Sequence, residues 1–317
     1  MDSLPSAAKD FLSYMETIKG KSNNTIDGYS YDLALFFKFM KIKRNIVPEN
    51  TNFNDIRIDD IDDYFIGTIG LNDLYSFISY TAKERNNCNY ARARKVACLR
   101  SFFKYLHTKV KIIDNNPALE LEPPKINNRQ PIHLTLDESK TLLQAVNGPY
   151  KERDYAILML FLNCGLRLSE LVGIDIDSIN GDTLRVIGKG NKERTVYLNN
   201  ACINAISEYL KVRNHNEIKE KDKKALFISR NKERISPRTV QTIVKKYIKA
   251  AGLDSEKYST HKLRHTAATL MYKYGNVDIR ALQQILGHES VATTQIYTHI
   301  DDERLRQAMK SNPLSEE

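Results

Sequence analysis

The stretch "KERDYAILMLFLNCG", residues 151–165, decides what kind of domain the second half of the chain forms. Its apolar residues cover every side of a helical projection, which is typical of a helix buried inside a domain. Gly165 ends the run, and glycine is the usual residue just past the end of a helix. The apolar part is far too short to span a bilayer. We therefore expect a globular helical domain built around this segment.

The segments that follow predict more helices and one small sheet. Helical spacing, caps or glycine stops occur in "LTLDESKTLLQAV" (134–146), "LRLSELVGI" (166–174), "ACINAISEYLKVRN" (201–214), "SPRTVQTIVKKYIKAAG" (236–252), "THKLRHTAATLMYKYG" (260–275), "DIRALQQILG" (278–287) and "SVATTQIYTHID" (290–301). Thr135 and Glu138 have the spacing of a capping box. By contrast, residues 182–199, "DTLRVIGKGNKERTVYLN", alternate around "GKGN" and predict two short strands joined by a basic turn.

The first third of the chain also has helical periodicity. The helical segments are "SNNTIDGYSYDLALFFKFM" (22–40), the weaker "IRIDDIDDYFIGTI" (56–69), "LNDLYSFISYTAKERN" (71–86) and "YARARKVACLRSFFKYLHTK" (90–109). Prolines and scattered asparagines between residues 112 and 138 then predict an extended linker. We place the first domain at residues 1–111, the linker at 112–130 and the second domain at 131–317.

The last helix of the first domain has two different faces. Its apolar face carries Val96, Leu99, Phe103 and Leu106. Arg94, Arg100 and Lys104 lie on the side away from it, beside small residues. Most surface helices have a solvated basic face of this kind, which is the first interpretation. The second is a helix laid against a phosphate backbone, with the small residues permitting close approach.

Composition limits the possible partners and compartments. The 317 residues include 48 Lys and Arg against 39 Asp and Glu, a net charge of +9. Such a surplus favours a polyanion, nucleic acid first, although a basic surface without a partner has the same composition. The four cysteines form no C-x-x-C pair, so neither a zinc site nor a disulfide framework is indicated. The N-terminus is not a signal peptide, and we expect a cytoplasmic protein.

Tyr297, in "LGHESVATTQIYTHI" (286–300), raises a chemical question. A tyrosine that attacks a phosphodiester needs about two arginines for the transition-state charge, a group to accept its proton and an acid for the leaving oxygen. The chain offers such groups in four separate segments. They are Arg167 with Glu170 one turn later, Lys189 and Lys192 in the hairpin turn, His261 with Arg264 three residues on, and His288 after a glycine. Each alone is as well explained as a surface or structural residue.

Together and in this order, these segments resemble a known family. "CGLRLSEL" (164–171), "VIGKGNKERTVYL" (186–198), "HKLRHTAATLM" (261–271) and "LGHESVATTQIYTH" (286–299) resemble the motifs of the tyrosine recombinases, the phage integrase family. Within the family the nearest resemblance is to the XerC/XerD type. The similarity extends into the first third through "FLSYMETIKGKSNNTIDGYSYDLALFFKFM" (11–40) and "RKVACLRSFFKYL" (94–106).

The resemblance implies a role for each matching residue. Tyr297 would be the nucleophile, and Arg167 and Arg264 would clamp the scissile phosphate. Lys189 would protonate the leaving 5′ oxygen, with Lys192 as the competing choice because both lie on one turn. The remaining roles fall to His261 (proton transfer at the tyrosine), His288 (a hydrogen bond to a phosphate oxygen) and Glu170 (orientation of an active-site residue). Ser259 and Thr260 precede His261 where many relatives have a proline, which affects the helix start and not the chemistry.

The resemblance also implies the reaction and its partners. One DNA strand would be cleaved to a 3′-phosphotyrosine and a free 5′-hydroxyl, without ATP, metal or other cofactor, because the covalent link conserves the bond energy. Two exchanges through a Holliday junction would need four protomers on two double-stranded sites, as a homo- or heterotetramer, with a second recombinase or a DNA translocase as further candidates. Both chromosome dimer resolution and movement of an integrated element fit this expectation.

The implied fold is mainly α. It combines a helical, SAM-like core-binding domain with a mainly helical catalytic domain that carries a small β-hairpin and a C-terminal exchange tail. The two would form a C-shaped clamp on DNA, which favours Arg94, Arg100, Lys104 and Lys192 as DNA-contacting residues. A DNA-binding regulator without catalysis is one alternative, but it predicts a broken set of catalytic residues. A type IB topoisomerase is the other, and the hairpin, the "LGH" motif and the first domain argue against it.

Overall fold

The computed structural model describes residues 4–48, 50–125, 132–188, 190, 192–214, 218–275, 277–287 and 294. Contacts divide the chain into two compact units, Met1–Asn128 and Arg129–Glu317, called the first and second unit below. The described residues are mainly helical with a single small sheet, which confirms the predicted fold class.

The first unit is a helical bundle around an aromatic core. Its helices are α1 (Ser6–Thr17), α2 (Asn23–Lys43), α3 (Asp63–Gly67), α4 (Leu71–Lys83) and α5 (Asn89–Tyr105). Six phenylalanines are fully buried at its centre: Phe11, Phe36, Phe37, Phe77, Phe102 and Phe103. Several of these rings meet edge to face, as Phe36 and Phe77 do at 5.1 Å between centroids. Edge-to-face contact suits the quadrupoles of aromatic rings.

Helix α5 presents the two faces that its sequence predicts. The apolar face is buried against α1, α2 and α4. Arg94, Arg100 and Lys104 are exposed on the other side. One residue departs from the simple pattern, because Lys95 is buried and its Nζ lies 2.7 Å from the carboxylate of the equally buried Asp32. Such a pair is tolerated in a core only because each charge neutralises the other.

Two expectations for the first unit need correction in detail. The segment 56–69 forms only the five-residue helix α3, capped by the Asp62 carboxylate, which accepts a hydrogen bond from the Phe65 amide at 2.8 Å. Of the five buried isoleucines of this segment only Ile66 lies in the helix, and the other four enter the core from extended and turn backbone. The predicted linker begins at residue 112, yet Ile113, Ala118 and Leu121 are buried in the core of the first unit. Apolar residues spaced along that extended stretch explain this attachment.

The second unit surrounds one buried helix. Its helices are α6 (Leu136–Gln144), α7 (Lys151–Cys164), α8 (Leu168–Val172), α9 (Asn200–Val212), α10 (Pro237–Ala250), α11 (Thr260–Tyr274) and α12 (Ile279–Leu286). Residues 156–162 of α7 are all buried, and α7 contacts α6, α9, α10 and α11. The capping box of α6 forms as predicted, since Thr135 and Glu138 exchange two hydrogen bonds, of 2.7 and 3.1 Å. The expected helix at 290–301 lies outside the described residues, except for Thr294.

The sheet of the second unit has three antiparallel strands in the order β1 (Ile179–Asn180), β2 (Thr183–Ile187) and β3 (Glu193–Tyr197). The hairpin β2–β3 confirms the alternation in the sequence, whereas the two-residue strand β1 was not expected. Val186 pairs with Arg194 across the hairpin. The amide of Gly188 donates 2.8 Å to the carbonyl of Lys192, which closes the turn that carries the predicted lysines.

Two helices of the second unit end at left-handed glycines. Gly165 follows α7 with φ of 58°, and Gly287 follows α12 with φ of 63°. A side chain at φ near these values is strained, whereas glycine is not. These two ends matter for the site, because arginines from three other elements bind the backbone around them.

Candidate active site

The first predicted arginine is held by the acid that follows it. Arg167 lies immediately before α8, and its amide donates 2.7 Å to the Glu170 carboxylate. Its Nη1 donates 2.8 Å to the other oxygen of the same carboxylate. Glu170 is fully buried, whereas the Arg167 side chain is 31% exposed. Glu170 therefore holds both the backbone amide and one edge of the guanidinium of Arg167. The Arg167 side chain still reaches solvent.

The second predicted arginine reaches the same place from α11. Arg264 is buried, with its side chain 4% exposed. Its Nη1 donates 2.6 Å to the carbonyl of Gly165, and its Nη2 donates 2.6 Å to the carbonyl of Leu286. Nη1 also lies 3.8 Å from Glu170. The structure thus brings together two arginines that are far apart in sequence.

A third arginine, Arg194, joins them and was not predicted. Its Nη2 donates 2.9 Å to Glu170, its Nε lies 3.4 Å from the other carboxylate oxygen, and its Nη1 donates to the carbonyl of Ile285. Arg194 shares the inward face of β3 with the buried Val196. A charged residue at an inward position of a half-buried strand is the sequence signal that could have identified it.

The three arginines meet at the C-terminal end of α12. Arg194, Arg264 and Arg167 donate to three successive carbonyls, those of Ile285, Leu286 and Gly287 respectively. The last carbonyls of a helix have no partners within it and carry partial negative charge, so cations suit this place. We call Arg167, Arg194 and Arg264 around Glu170 the arginine cluster. Three positive charges against one carboxylate leave it net positive, as an anion site requires.

The cluster keeps its carboxylate ionised. Burial alone would raise the pKa of Glu170, but the hydrogen bond and charge of Arg194, together with the two hydrogen bonds from Arg167, outweigh it and lower the pKa. Removal of one such partner would leave a buried charge poorly compensated, which is costly. Glu170 is therefore ionised near pH 7 and organises the arginines around it.

His261 lies at the start of α11, one turn before Arg264. Its side chain reaches solvent, and its ring makes an edge contact with His265 at 4.4 Å between centroids. Burial of its inner side lowers its pKa, and the positive charges of Arg264, Lys262 and Arg167 lower it further. The imidazole is consequently neutral near pH 7, the form that accepts a proton.

Three predicted catalytic residues, Lys189, His288 and Tyr297, lie outside the described residues. Gly188 and Gly287, which directly precede Lys189 and His288, do reach the cluster. A Cβ placed on Gly188 would lie 3.4 Å from a Glu170 oxygen and 3.7 Å from Nη1 of Arg167. Gly188, at the start of the hairpin turn, therefore lies beside Arg167 and Glu170, and Lys192 at the other end of the turn is exposed.

The predicted DNA-contacting residues of α5 differ in their engagement. Arg94 is 42% exposed, but its Nη1 lies 2.6 Å from the Asp32 carboxylate and donates 2.7 Å to the carbonyl of Gly28. Arg100 and Lys104 are exposed. Arg94 thus has a structural role inside the first unit, whereas the geometry leaves Arg100 and Lys104 as the better candidates for phosphate contact.

The described residues contain no group of three or more His, Cys, Asp or Glu placed to hold a metal ion. Among the same residues, no helix has the length and apolar character needed to cross a membrane.

Comparison with known proteins places this geometry in a family. Residues 133–304 match the description "Phage integrase family". The tyrosine recombinase XerC of Caldanaerobacter subterraneus subsp. tengcongensis is 59% identical over 313 residues, 99% of this chain and 88% of that protein. The XerC of Thermodesulfovibrio yellowstonii is 37% identical over 316 residues, 97% of this chain and 96% of that one.

A solved structure has the same fold. The XerH site-specific recombinase bound to a palindromic difH substrate, in a post-cleavage complex, superposes with a TM-score of 0.71 at 23% identity, covering 96% of this chain and 84% of that one. At that identity the likeness concerns the fold. The sequence relatives and the family match carry the assignment, and the chain belongs to the phage integrase family of tyrosine recombinases.

Proposed function

We propose that this protein is a site-specific DNA recombinase of the Xer type, which cleaves and rejoins duplex DNA through a 3′-phosphotyrosine. The convergence of Arg167 and Arg264 on one helix end carries the proposal, since it brings two guanidiniums together from distant segments. A scissile phosphodiester is the anion that such paired guanidiniums recognise.

In the cleavage step, the phenolic oxygen of Tyr297 attacks phosphorus and the bond from phosphorus to O5′ breaks. The proton of the phenol passes to the neutral imidazole of His261. The departing O5′ takes a proton from Lys189, with Lys192 as the alternative donor on the same turn. The phosphate remains on the tyrosine, and the strand ends in a free 5′-hydroxyl.

Arg167 and Arg264 stabilise the charge that develops on the non-bridging oxygens, and His288 adds a hydrogen bond to one of them. Preorganised donors of this kind contribute about 2.7–4 kcal/mol each to acyl-transfer transition states, which sets the scale expected here. Because the arginines are held by Glu170 and the helix-end carbonyls before DNA binds, little reorganisation accompanies the reaction.

Rejoining is the same step in reverse, with a 5′-hydroxyl from a partner strand as the attacking group. Two sequential exchanges through a Holliday junction require four active sites, which we assign to a homo- or heterotetramer on two double-stranded sites. Arg100 and Lys104 on α5 would contribute phosphate contacts. The relatives named XerC support the Xer type, and both chromosome dimer resolution and movement of an integrated element fit this reaction.

A suicide substrate nicked near the cleavage point tests the proposal. Wild-type protein should form a covalent protein–DNA adduct, whose mapping by mass spectrometry should identify Tyr297. Tyr297→Phe should bind the same duplex with unchanged affinity and form no adduct, because only the phenolic oxygen is lost. Tyr274→Phe, at an exposed tyrosine of the second unit, is the matched control and should form the adduct normally. An adduct in Tyr297→Phe would assign the nucleophile elsewhere.

A further inference from the structure

The strand β3 supplies the cluster with a residue for which the proposed reaction has no direct use. We propose that Arg194 is a positioning residue, which holds the carboxylate of Glu170 and the end of α12 together and thereby sets the geometry of Arg167 and Arg264. The inference rests on the proposed function, because it concerns the same cleavage step. Arg194 would not touch the phosphate itself.

The hydrogen bonds of Arg194 are directed into the protein. The Arg194 guanidinium donates to protein acceptors, with two hydrogen bonds to Glu170 and one to the carbonyl of Ile285. The side chain is only 13% exposed, against 31% for Arg167. Arg194 therefore faces inward as a bridge between two elements.

Arg194 connects two structures that hold the other arginines, the Glu170 carboxylate and the end of α12. Glu170 orients Arg167 through the amide and Nη1 of that residue. The end of α12 accepts hydrogen bonds from Arg264 at Leu286 and from Arg167 at Gly287. Arg194 binds both of these supports, so its planar fork sets the distance between them. A lysine has one nitrogen and cannot serve both supports with this geometry.

Close contact at Gly287 is an independent observation. A Cβ on this glycine would lie 2.7 Å from Cδ and 3.0 Å from Nε of Arg194. Real Cβ atoms do not approach other atoms so closely, so the Arg194 side chain crosses the helix end where only glycine leaves room for it. The left-handed glycine thus both ends α12 and admits the arginine.

Loss of Arg194 should have a large effect on the position of α12. α12 has eight residues, too few to be stable alone, so its position depends on its contacts. Loss of Arg194 removes one of the three arginine contacts to its last carbonyls and the largest favourable influence on Glu170. A displacement of about 1 Å at a reacting centre can cost about 100-fold in rate.

The test compares Arg194→Met with Arg185→Met. Arg185 lies on β2 of the same hairpin, is exposed, and has no role in the cluster, so its variant loses the same charge. Duplex affinity and single-turnover cleavage are measured at saturating protein on the nicked substrate. We expect equal affinities for the two variants and cleavage about 100-fold slower for Arg194→Met alone.

Arg194→Lys separates positioning from charge. It should fold, bind DNA as wild type does, and still cleave at least ~10-fold slower, because one nitrogen replaces a fork. In an Arg167→Ala background, Arg194→Met should slow cleavage further by clearly less than the ~100-fold expected in the wild-type background, because only the part of its effect that acts through Arg264 is left. A multiplicative loss would show independent action and overturn the proposal.

The outcomes also distinguish the two proposals. If wild-type protein forms no tyrosine adduct, the proposed function itself fails. If wild type forms the adduct and Arg194→Lys cleaves at the wild-type rate, the positioning role alone is refuted. Should Arg194→Met fail to fold by circular dichroism, Arg194→Lys and the Arg167→Ala background with Arg194→Lys decide the question.

Discussion

Nη1 of Arg264 donates a hydrogen bond of 2.6 Å to the carbonyl oxygen of Gly165, a residue 99 positions earlier in the chain. Gly165 ends the central helix α7, and Arg167 follows it after one residue. The bond therefore fixes the second arginine of the proposed phosphate clamp against the backbone that carries the first. The spacing of the two guanidiniums is therefore set by how α7 and α11 pack against each other.

Replacement of either clamp arginine by lysine should preserve DNA binding but slow cleavage. Arg264→Lys loses one of the two contacts to Gly165 and Leu286, and Arg167→Lys loses one of the contacts to Glu170 and Gly287. We expect losses of about 2.7–4 kcal/mol in transition-state stabilisation, measured from single-turnover cleavage rates. Arg185→Lys is the control. Near-normal cleavage by either clamp variant would show that charge without the fork is sufficient.

The pH dependence of cleavage should report His261. Its pKa lies below the usual value of 6.5, so the neutral base persists below pH 6.5 and the rate falls only when the pH drops through this lowered pKa. Lys262 contributes one of the positive charges that lower it. Lys262→Gln should raise the pKa of His261, move the acidic limb of the pH–rate profile to higher pH, and leave the rate at pH 8 unchanged.

Lys273→Gln, on the same helix but not among the charges that act on His261, provides the comparison and should leave the limb in place. His261→Ala should abolish the limb. A limb that keeps its position in Lys262→Gln would mean that another group accepts the proton.

Gly287→Ala should damage both stability and cleavage, and Gly181→Ala is its matched control. Both glycines have φ near 60°, but a Cβ on Gly181 meets nothing within 4 Å. Alanine at either site carries a backbone strain of about 1–2 kcal/mol. Only at Gly287 must Arg194 also move. Chemical denaturation should show a greater loss for Gly287→Ala, and cleavage should slow for that variant alone. Equal effects on cleavage would contradict close contact at the helix end.

Salt dependence should distinguish the exposed basic residues of α5. Arg100→Ala with Lys104→Ala should weaken binding to any duplex and flatten the plot of log affinity against log salt by ~0.9 per lost phosphate contact. Arg57→Ala with Lys83→Ala removes the same charge from exposed positions elsewhere in the first unit and should change the slope less. Equal slopes for the two pairs would show that the basic face of α5 is only solvated and does not contact phosphates.

Local patterns in the sequence were enough to predict much of the fold. The all-round apolar run of α7 predicted a central helix, the spacing of Thr135 and Glu138 predicted a capping box, and alternation predicted the hairpin of β2 and β3. These features depend on residues a few positions apart, whose periodicity is visible in the sequence. The prediction of a helix over the whole segment 56–69 was wrong, because it also depended on local periodicity. That periodicity is weak here and does not show that most of the apolar residues reach the core from turns and extended backbone.

Tertiary structure alone decided which distant groups meet. Arg194 and Ile285 are 91 residues apart, and Lys95 and Asp32 are 63 apart. No periodicity links such pairs, since their contact depends on how helices and strands pack and on where a buried charge finds a partner. The sequence alone therefore determined the helical class, the family resemblance and the residue types for phosphodiester chemistry. Packing determined that Arg167, Arg194 and Arg264 share one helix end, because its unpaired carbonyls and one buried carboxylate attract all three.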